Sequence, residues 1–256
     1  AVGTSAGIAV TTGTFNTLTG GQAGAALTVG GENAAFGYNA LVTDTKGSHS
    51  VAVGPYALQT QNFTSATDTF NTAVGYNAGG QITTGTLNTF IGGLAGDAIT
   101  TANSNVAIGK SALSTDTKGD NSVAIGENAL LTQNFTSSTD SYNVAVGSNA
   151  GRAVTTGRLN TFVGGLAGDA TTTANNNTAV GQGSLGANTT GPENTAVGVV
   201  TLAANTTGAS NTAFGRAALN ANTTASFNSA YGTDSLQVNT TGANNTAVGF
   251  RSLFAN

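Results

Sequence analysis

Apolar positions in this chain follow neither a helical period nor long alternating strands. They fall in short triplets, each closing on a glycine. The closing glycines are Gly3, Gly20, Gly37, Gly54, Gly75, Gly92, Gly109, Gly126, Gly147, Gly164, Gly181, Gly198, Gly215, Gly232 and Gly249. Twelve of the fourteen intervals are 17 residues and two are 21, so the chain reads as about fifteen copies of one small unit, the last incomplete. Self-similarity at so short a period is the signature of stacked repeats. Above it lies a second period: Gly3, Gly75 and Gly147 stand four coils apart and open similar coils, as though that block had been duplicated. No linker-like stretch interrupts the pattern, which predicts a single repeat domain over 1–256.

With the glycine numbered zero, each position in a coil has a chemical identity. Position −4 is Asn in twelve of fourteen coils, with Ser50 and Ser122 in the other two. Position −2 is usually Ala, and position −1 is Val, Ile, Phe or Tyr everywhere except Thr19. Adjacent strand residues point to opposite faces. The expectation is that the bulky set (Val74, Ile91, Ile108, Ile125) turns inward. The small set (Ala73, Ala107, Ala124) would then form a second face on which another chain packs closely. Past the glycine, Leu at +4 accompanies a polar +7, as in Leu41 with Asp44, Leu58 with Gln61, Leu113 with Asp116 and Leu185 with Asn188. Gly at +4 accompanies an apolar +7, as in Gly79 with Ile82 and Gly96 with Ile99, the coil with Gly168 and Thr171 being the exception. This exchange conserves core volume, as a close-packed interior requires. Gly at 0 and +10 and Asn at −4 tolerate turn conformations and mark the corners. Two short strands and two turns in so small a unit predict an all-β fold: a parallel β-roll or β-solenoid. At about 4.8 Å per rung it would form a rod on the order of 65–70 Å long. The −4 Asn can bond to its equivalent one rung away, as in stacked amide ladders.

Composition narrows function. Only 7% of residues are charged, against about 25% in an ordinary domain. With seven Lys and Arg and net charge −4 there is no basic stretch for nucleic acid. With no Cys there is no disulfide framework, thiolate nucleophile or Cys-based zinc site. The single histidine, His49, has no ligand or carboxylate neighbour in sequence and reads as surface; no metal site and no cofactor is expected. No apolar run is long enough for a membrane span. Acids are few, stand mostly in turns and form no pair of defined spacing, so no catalytic residues are assigned and a non-enzymatic chain is expected. The D-T-K-G segments at Asp44–Gly47 and Asp116–Gly119 read as solvated turns.

The strings Asn121–Leu130 (NSVAIGENAL), Ser104–Leu113 (SNVAIGKSAL) and Ser50–Leu58 (SVAVGPYAL) resemble the head repeats of YadA-like trimeric autotransporter adhesins. Asn194–Leu219 also resembles repeats of phage tail-fibre-type proteins. The resemblance covers essentially the whole chain, although the adhesin heads use coils of about 14 residues. It implies a left-handed roll, a homotrimer, and an extracellular place on a bacterial surface or a virion fibre. It also implies attachment to a host-surface protein or glycan. The chain begins inside a strand position and stops seven residues past Gly249, which predicts a window onto a longer fibre. A passive spacer or a rod that self-assembles into filaments is the second reading. The third is ice binding by the Thr column at +8, which is Thr in all twelve of the shorter coils.

Candidate contacts sit on the two longer coils, QTQNFTSATDTF (Gln59–Phe70) and LTQNFTSSTDSY (Leu131–Tyr142). Each carries four extra residues and places an aromatic, an acid and a second aromatic on the expected bulge: Phe63, Asp68 and Phe70 in one, Phe135, Asp140 and Tyr142 in the other. Aromatics beside polar groups suit sugar rings or protein side chains. The alternative is that Phe63 and Phe135 fold back to plug the wider coil.

Overall fold

The computed structural model describes residues 1–255. They form two compact units. The first is Ala1–Ser122 with Asn134–Asp140; the second is Val123–Gln133 with the chain from Ser141 onward. Each is a parallel β-solenoid, and no helix occurs among the described residues.

In the first unit the main strands are β1 (Thr17–Thr19), β2 (Ala34–Phe36), β4 (Val51–Val53), β6 (Thr72–Val74), β7 (Thr89–Ile91) and β8 (Val106–Ile108). Two shorter pairs, β3 (Gly47–Ser48) with β5 (Thr67–Asp68) and β9 (Gly119–Asp120) with β11 (Thr139–Asp140), hold the bulged coils. The second unit carries β10 (Val123–Ile125), β12 (Val144–Val146), β13 (Thr161–Val163), β14 (Thr178–Val180), β15 (Thr195–Val197), β16 (Thr212–Phe214), β17 (Ser229–Tyr231) and β18 (Thr246–Val248). Pairing is parallel and follows the sequence period. Thr17 faces Ala34 and Thr178 faces Thr195, while Val51 faces Thr72 across the longer coil. The prediction of parallel winding holds in both units.

The strand faces are reversed from expectation. The −2 residue of each main strand is buried: Ala35, Ala73, Ala107, Ala124 and their equivalents are fully enclosed. The −1 residue points outward, so Val74, Ile108 and Ile125 are half-buried and Ile91 is 38% exposed. The physical reason is the narrowness of the coil. Its interior already holds the enclosed +4 leucines (Leu41, Leu58, Leu113, Leu185) or the +7 aliphatics (Leu27, Ile82, Ile99, Val154). A close-packed interior of that size accepts only a methyl from the strand.

Three strands break this rule, and their neighbours compensate. Leu18, Phe90 and Phe162, at matching places in the longer sequence period, occupy the −2 position and are buried. Each lies against two glycines at +4, one in its own coil and one in the preceding coil. A methyl built on Gly79 would stand 2.7 Å from the Phe90 ring, and one on Gly96 would also run into that ring. Gly151 and Gly168 make room for Phe162 in the same way, and Gly7 and Gly24 for Leu18. The pairing of +4 with +7 is therefore one side of a three-way exchange that includes −2.

Polar ladders keep the coils in register. The Oδ1 of each −4 Asn accepts the backbone N–H of its successor, as Asn71 does from Asn88 (2.9 Å) and Asn88 from Asn105 (3.0 Å). Nδ2 in most of them donates to the +10 carbonyl of the same coil, as Asn88 does to Ala102 (2.8 Å) and Asn160 to Ala174 (2.9 Å), while Asn177 turns to Asn160 Oδ1 (3.2 Å). In the second unit a further amide ladder runs inside the coils through Asn188, Asn205 and Asn222, all at position +7, with links of 3.0 and 2.9 Å. These bonds satisfy groups whose burial would otherwise cost about 1–3 kcal/mol each. At the turn, Gly37 has φ 143°, and a methyl there would lie 2.6 Å from the Gly54 carbonyl group.

Candidate functional site

The two bulges separate their aromatics by chemistry. Phe63 and Phe135 fold back, each only 6% exposed. The fold-back is anchored by a buried carboxylate. Asp44 Oδ1 accepts the N–H groups of Gly47 (3.0 Å) and Phe63 (3.2 Å), and Oδ2 accepts Gln61 Nε2 (2.6 Å). Asp116 likewise accepts from Gly119 (3.0 Å) and Phe135 (3.1 Å). Both aspartates are fully enclosed, so the D-T-K-G segments are anchors of the longer coil and not solvated turns. Behind the first bulge the network continues. Gln61 donates to Ser50 Oγ (2.8 Å), Ser50 lies 2.6 Å from Thr69 Oγ1, and Asn71 donates to Gln61 Oε1 (2.9 Å). A serine replaces the ladder Asn at position 50, where this cluster crosses the core.

The remaining bulge candidates stay outside. Phe70 is about half exposed at φ 49°, and its ring stacks on His49 with centroids 5.0 Å apart. His49 Nδ1 lies 3.1 Å from Asp68 Oδ1, and Nε2 lies 3.4 Å from Glu32 Oε2. The imidazole thus has two carboxylate neighbours that its sequence neighbourhood does not show, because both come from adjacent coils. In the other bulge Asp140 Oδ1 accepts Asn121 Nδ2 at 2.7 Å, Asn121 holding the place that His49 has in the first block. Tyr142 is exposed at φ 48°. Among the described residues, no three His, Cys, Asp or Glu side chains converge as metal ligands.

The outer face of the main sheet in each unit is an uncharged surface. Its outward positions are −3 and −1, filled by Thr, Ser, Ala, Val, Ile, Phe and Tyr, and no main strand turns a charge outward. Exposure is 40% at Phe36 in the first unit and 36–42% at Val163, Val180, Phe214 and Tyr231 in the second, where Phe214 and Tyr231 stack at 5.5 Å. The +8 threonines are spent elsewhere. Their hydroxyls donate to the carbonyl one coil on, as Thr83 does to Thr100 (3.0 Å) and Thr189 to Thr206 (3.1 Å). The +9 positions face water, with Thr84 and Thr101 exposed in the first unit and Thr156, Thr173, Thr190, Thr207 and Thr224 in the second.

Burial raises the carboxyls of Asp97 and Asp169 above the ordinary value of 3.8. A bond from its own backbone pulls each partly back, and the Arg152 charge does so more strongly at Asp169. Asp97 Oδ1 is also a buried acceptor without a donor.

Residue-level reading of the sequence missed the outward −1 column, the carboxylates around His49 and a run of three tyrosines on consecutive coils. The last was visible as Tyr38, Tyr56 and Tyr76 at +1, +2 and +1 of their coils. No family model, curated protein or solved structure matches this chain.

Proposed function

We propose that this chain is a non-enzymatic structural and adhesive segment of an extracellular surface fibre, of the bacterial adhesin-head or phage tail-fibre kind. In this reading three copies assemble side by side and attach to a host or surface. The observation that carries it is the charge-free outer sheet face. A parallel sheet is normally covered on both sides, and here one side is left half-buried at best, with Phe36, Ile91, Val163, Val180, Phe214 and Tyr231 at 36–42% exposure. Depletion of charge with aromatic enrichment is the compositional mark of an interface core. An apolar column repeated at nearly every coil is complementary to itself, so the fitting partner is another copy with its coils level with the first. The three-fold state comes from the resemblance of Asn121–Leu130 and Ser104–Leu113 to trimeric adhesin heads.

Two features support mechanical work over chemistry. Within each unit successive coils are tied by backbone pairing and by interior Asn bonds, an arrangement that transmits load along a stack. The polar cluster at Asp44 is enclosed and fully occupied in shaping the bulge. The test is the mass of the native protein by sedimentation and native mass spectrometry. Wild type is expected at three chain masses. Ile91→Lys with Val163→Lys, at outward positions, should shift it to one chain mass with the β circular dichroism signal kept. A wild-type monomer at micromolar concentration, or an unchanged mass in the double variant, refutes the reading.

A further inference from the structure

Tyr38, Tyr56 and Tyr76 stand on three consecutive coils of the first unit, just past the turn glycines Gly37, Gly54 and Gly75. Their rings meet edge to face in series, with centroids 5.6 Å apart at 90° and 5.8 Å apart at 84°. Tyr38 is 52% and Tyr76 58% exposed, and Tyr56 is half-buried between them. Backbone bonds set the spacing: the Tyr56 N–H donates to the Tyr38 carbonyl, and the N–H of Asn77, next to Tyr76, to the carbonyl of Pro55, next to Tyr56, both at 2.9 Å. The ladder therefore rides on fixed coils and not on a loop that must be ordered on binding.

The fold does not need these rings. Four coils further along the sequence, the duplicated block carries Lys110, Asn128 and Ser148 at the same coil positions. Asn128 has φ 57°, close to the 64° of Tyr56, so the local backbone is the same with or without the aromatic. Exposed aromatics that stabilise no core are the informative kind of exposed apolar group. The turns that hold them, Gly37–Ala40, Gly54–Ala57 and Gly75–Ala78, contain no charge and add the amides of Asn39 and Asn77. Asn39, next to Tyr38, keeps a buried side-chain oxygen without a donor.

We propose that this ladder is a binding strip for an extended neutral polysaccharide. Sugar C–H faces would pack on the ring faces, and sugar hydroxyls would exchange hydrogen bonds with the phenol hydroxyls and the neighbouring amides. Tyrosine suits this task because it joins a rigid apolar face to a polar tip at low entropic cost. The lack of Arg or Lys in the three turns argues against an anionic glycan, which charge-assisted pairs would recognise. The coil-by-coil repeat favours a polymer lying along the stack over a single sugar. The inference deepens the attachment reading and rests on it for its biological setting, but the side-chain argument does not depend on self-association.

The chain has no Trp, and three of its five tyrosines stand in the ladder, so a change in tyrosine emission of the wild type is a readout of the site. The full chain is titrated with cello-, laminari-, malto- and chitohexaose, and run in native gels cast with the corresponding soluble polysaccharides. Dextran sulfate serves as the anionic comparison. The expected result is a saturable emission change and gel retardation with at least one neutral series. Retardation should weaken at least tenfold in Tyr38→Ala/Tyr56→Ala/Tyr76→Ala, and both responses should persist in Lys110→Ala/Asn128→Ala/Ser148→Ala. The native mass of the tyrosine variant should equal that of wild type. No response to any neutral series, retardation only by dextran sulfate, or equal binding by the tyrosine variant overturns the proposal. A changed mass in that variant also overturns it, by placing the rings between chains. A monomeric wild type that still binds through the tyrosines would defeat the self-association reading alone.

Discussion

Phe90 and its two glycines offer the sharpest test of how these coils are packed. The ring is fully buried, and methyls on Gly79 and Gly96 would both run into it. In coils that neither carry nor precede a bulky −2 residue the same +4 position holds leucine, as at Leu41, Leu58 and Leu113, with φ of 50–53°. Gly79 and Gly96 sit at 57° and 58°, so the backbone there is already one that leucine adopts in this fold. Phe90→Ala alone leaves a cavity and should cost about 3–5 kcal/mol. Gly96→Leu alone forces a side chain into the ring and should cost about 1–3 kcal/mol from overpacking. Together they should relieve each other. The ring's removal takes away six carbons and the new leucine returns four, so a residual loss of roughly 1.6 kcal/mol is expected at about 0.8 kcal/mol per buried carbon. The left-handed backbone adds a cost of about 1–2 kcal/mol for a non-glycine residue, offset in part by the lower entropy of the unfolded chain. The double variant should thus lie close to or above the better single variant, with a coupling energy of at least about 2 kcal/mol. The assay is urea unfolding followed by circular dichroism, with hydrogen exchange on peptides spanning Gly75–Gly109, because repeat stacks can open locally. Strict additivity of the two single effects would refute the exchange of volume between −2 and +4. The Phe162, Gly151 and Gly168 set in the second unit supplies an independent repetition.

Three further outcomes follow from the ladders and the buried acids. Asn88→Ala removes the acceptor of the Asn105 N–H and the donor to the Ala102 carbonyl, and should cost about 2–4 kcal/mol in denaturant unfolding. Gly37→Ala presses a methyl on the Gly54 carbonyl group at a φ foreign to side chains, and should cost about 2 kcal/mol or more. Asp97 has a carboxyl raised in the fold, so its protonated form favours folding below pH 3.8 and that contribution is lost as pH rises through the folded value. Asp97→Asn should therefore stabilise the protein near pH 7, by less than about 1 kcal/mol because the group is only partly desolvated. The gain should vanish below pH 3.8, as read from thermal melts across pH.

The repeat itself determined a great deal. A glycine closing every coil, an Asn four places before it and a strand triplet between them leave only a parallel stack that satisfies every corner, and both units have that register. The burial of Leu41 and Ile82 was also legible, because the +4 and +7 identities vary in opposition, and only enclosed volume couples them. The facing of the strand was not legible. Alternation separates Ala73 from Val74, but it does not say which set is inside, and hydrophobicity alone favoured the wrong one. The interior width decides that, and width depends on how far apart the two walls of a coil stand. Phe63 and Phe135 turned inward for the same reason: the longer coil encloses space that Asp44 and Asp116 close by hydrogen bonds to the next coil. Glu32, His49 and Asp68 come from three successive coils and become neighbours only when those coils stack. Composition and period thus specify the stack, while tertiary geometry assigns inside and outside and brings together side chains one coil apart, because both depend on distances that a linear pattern does not contain.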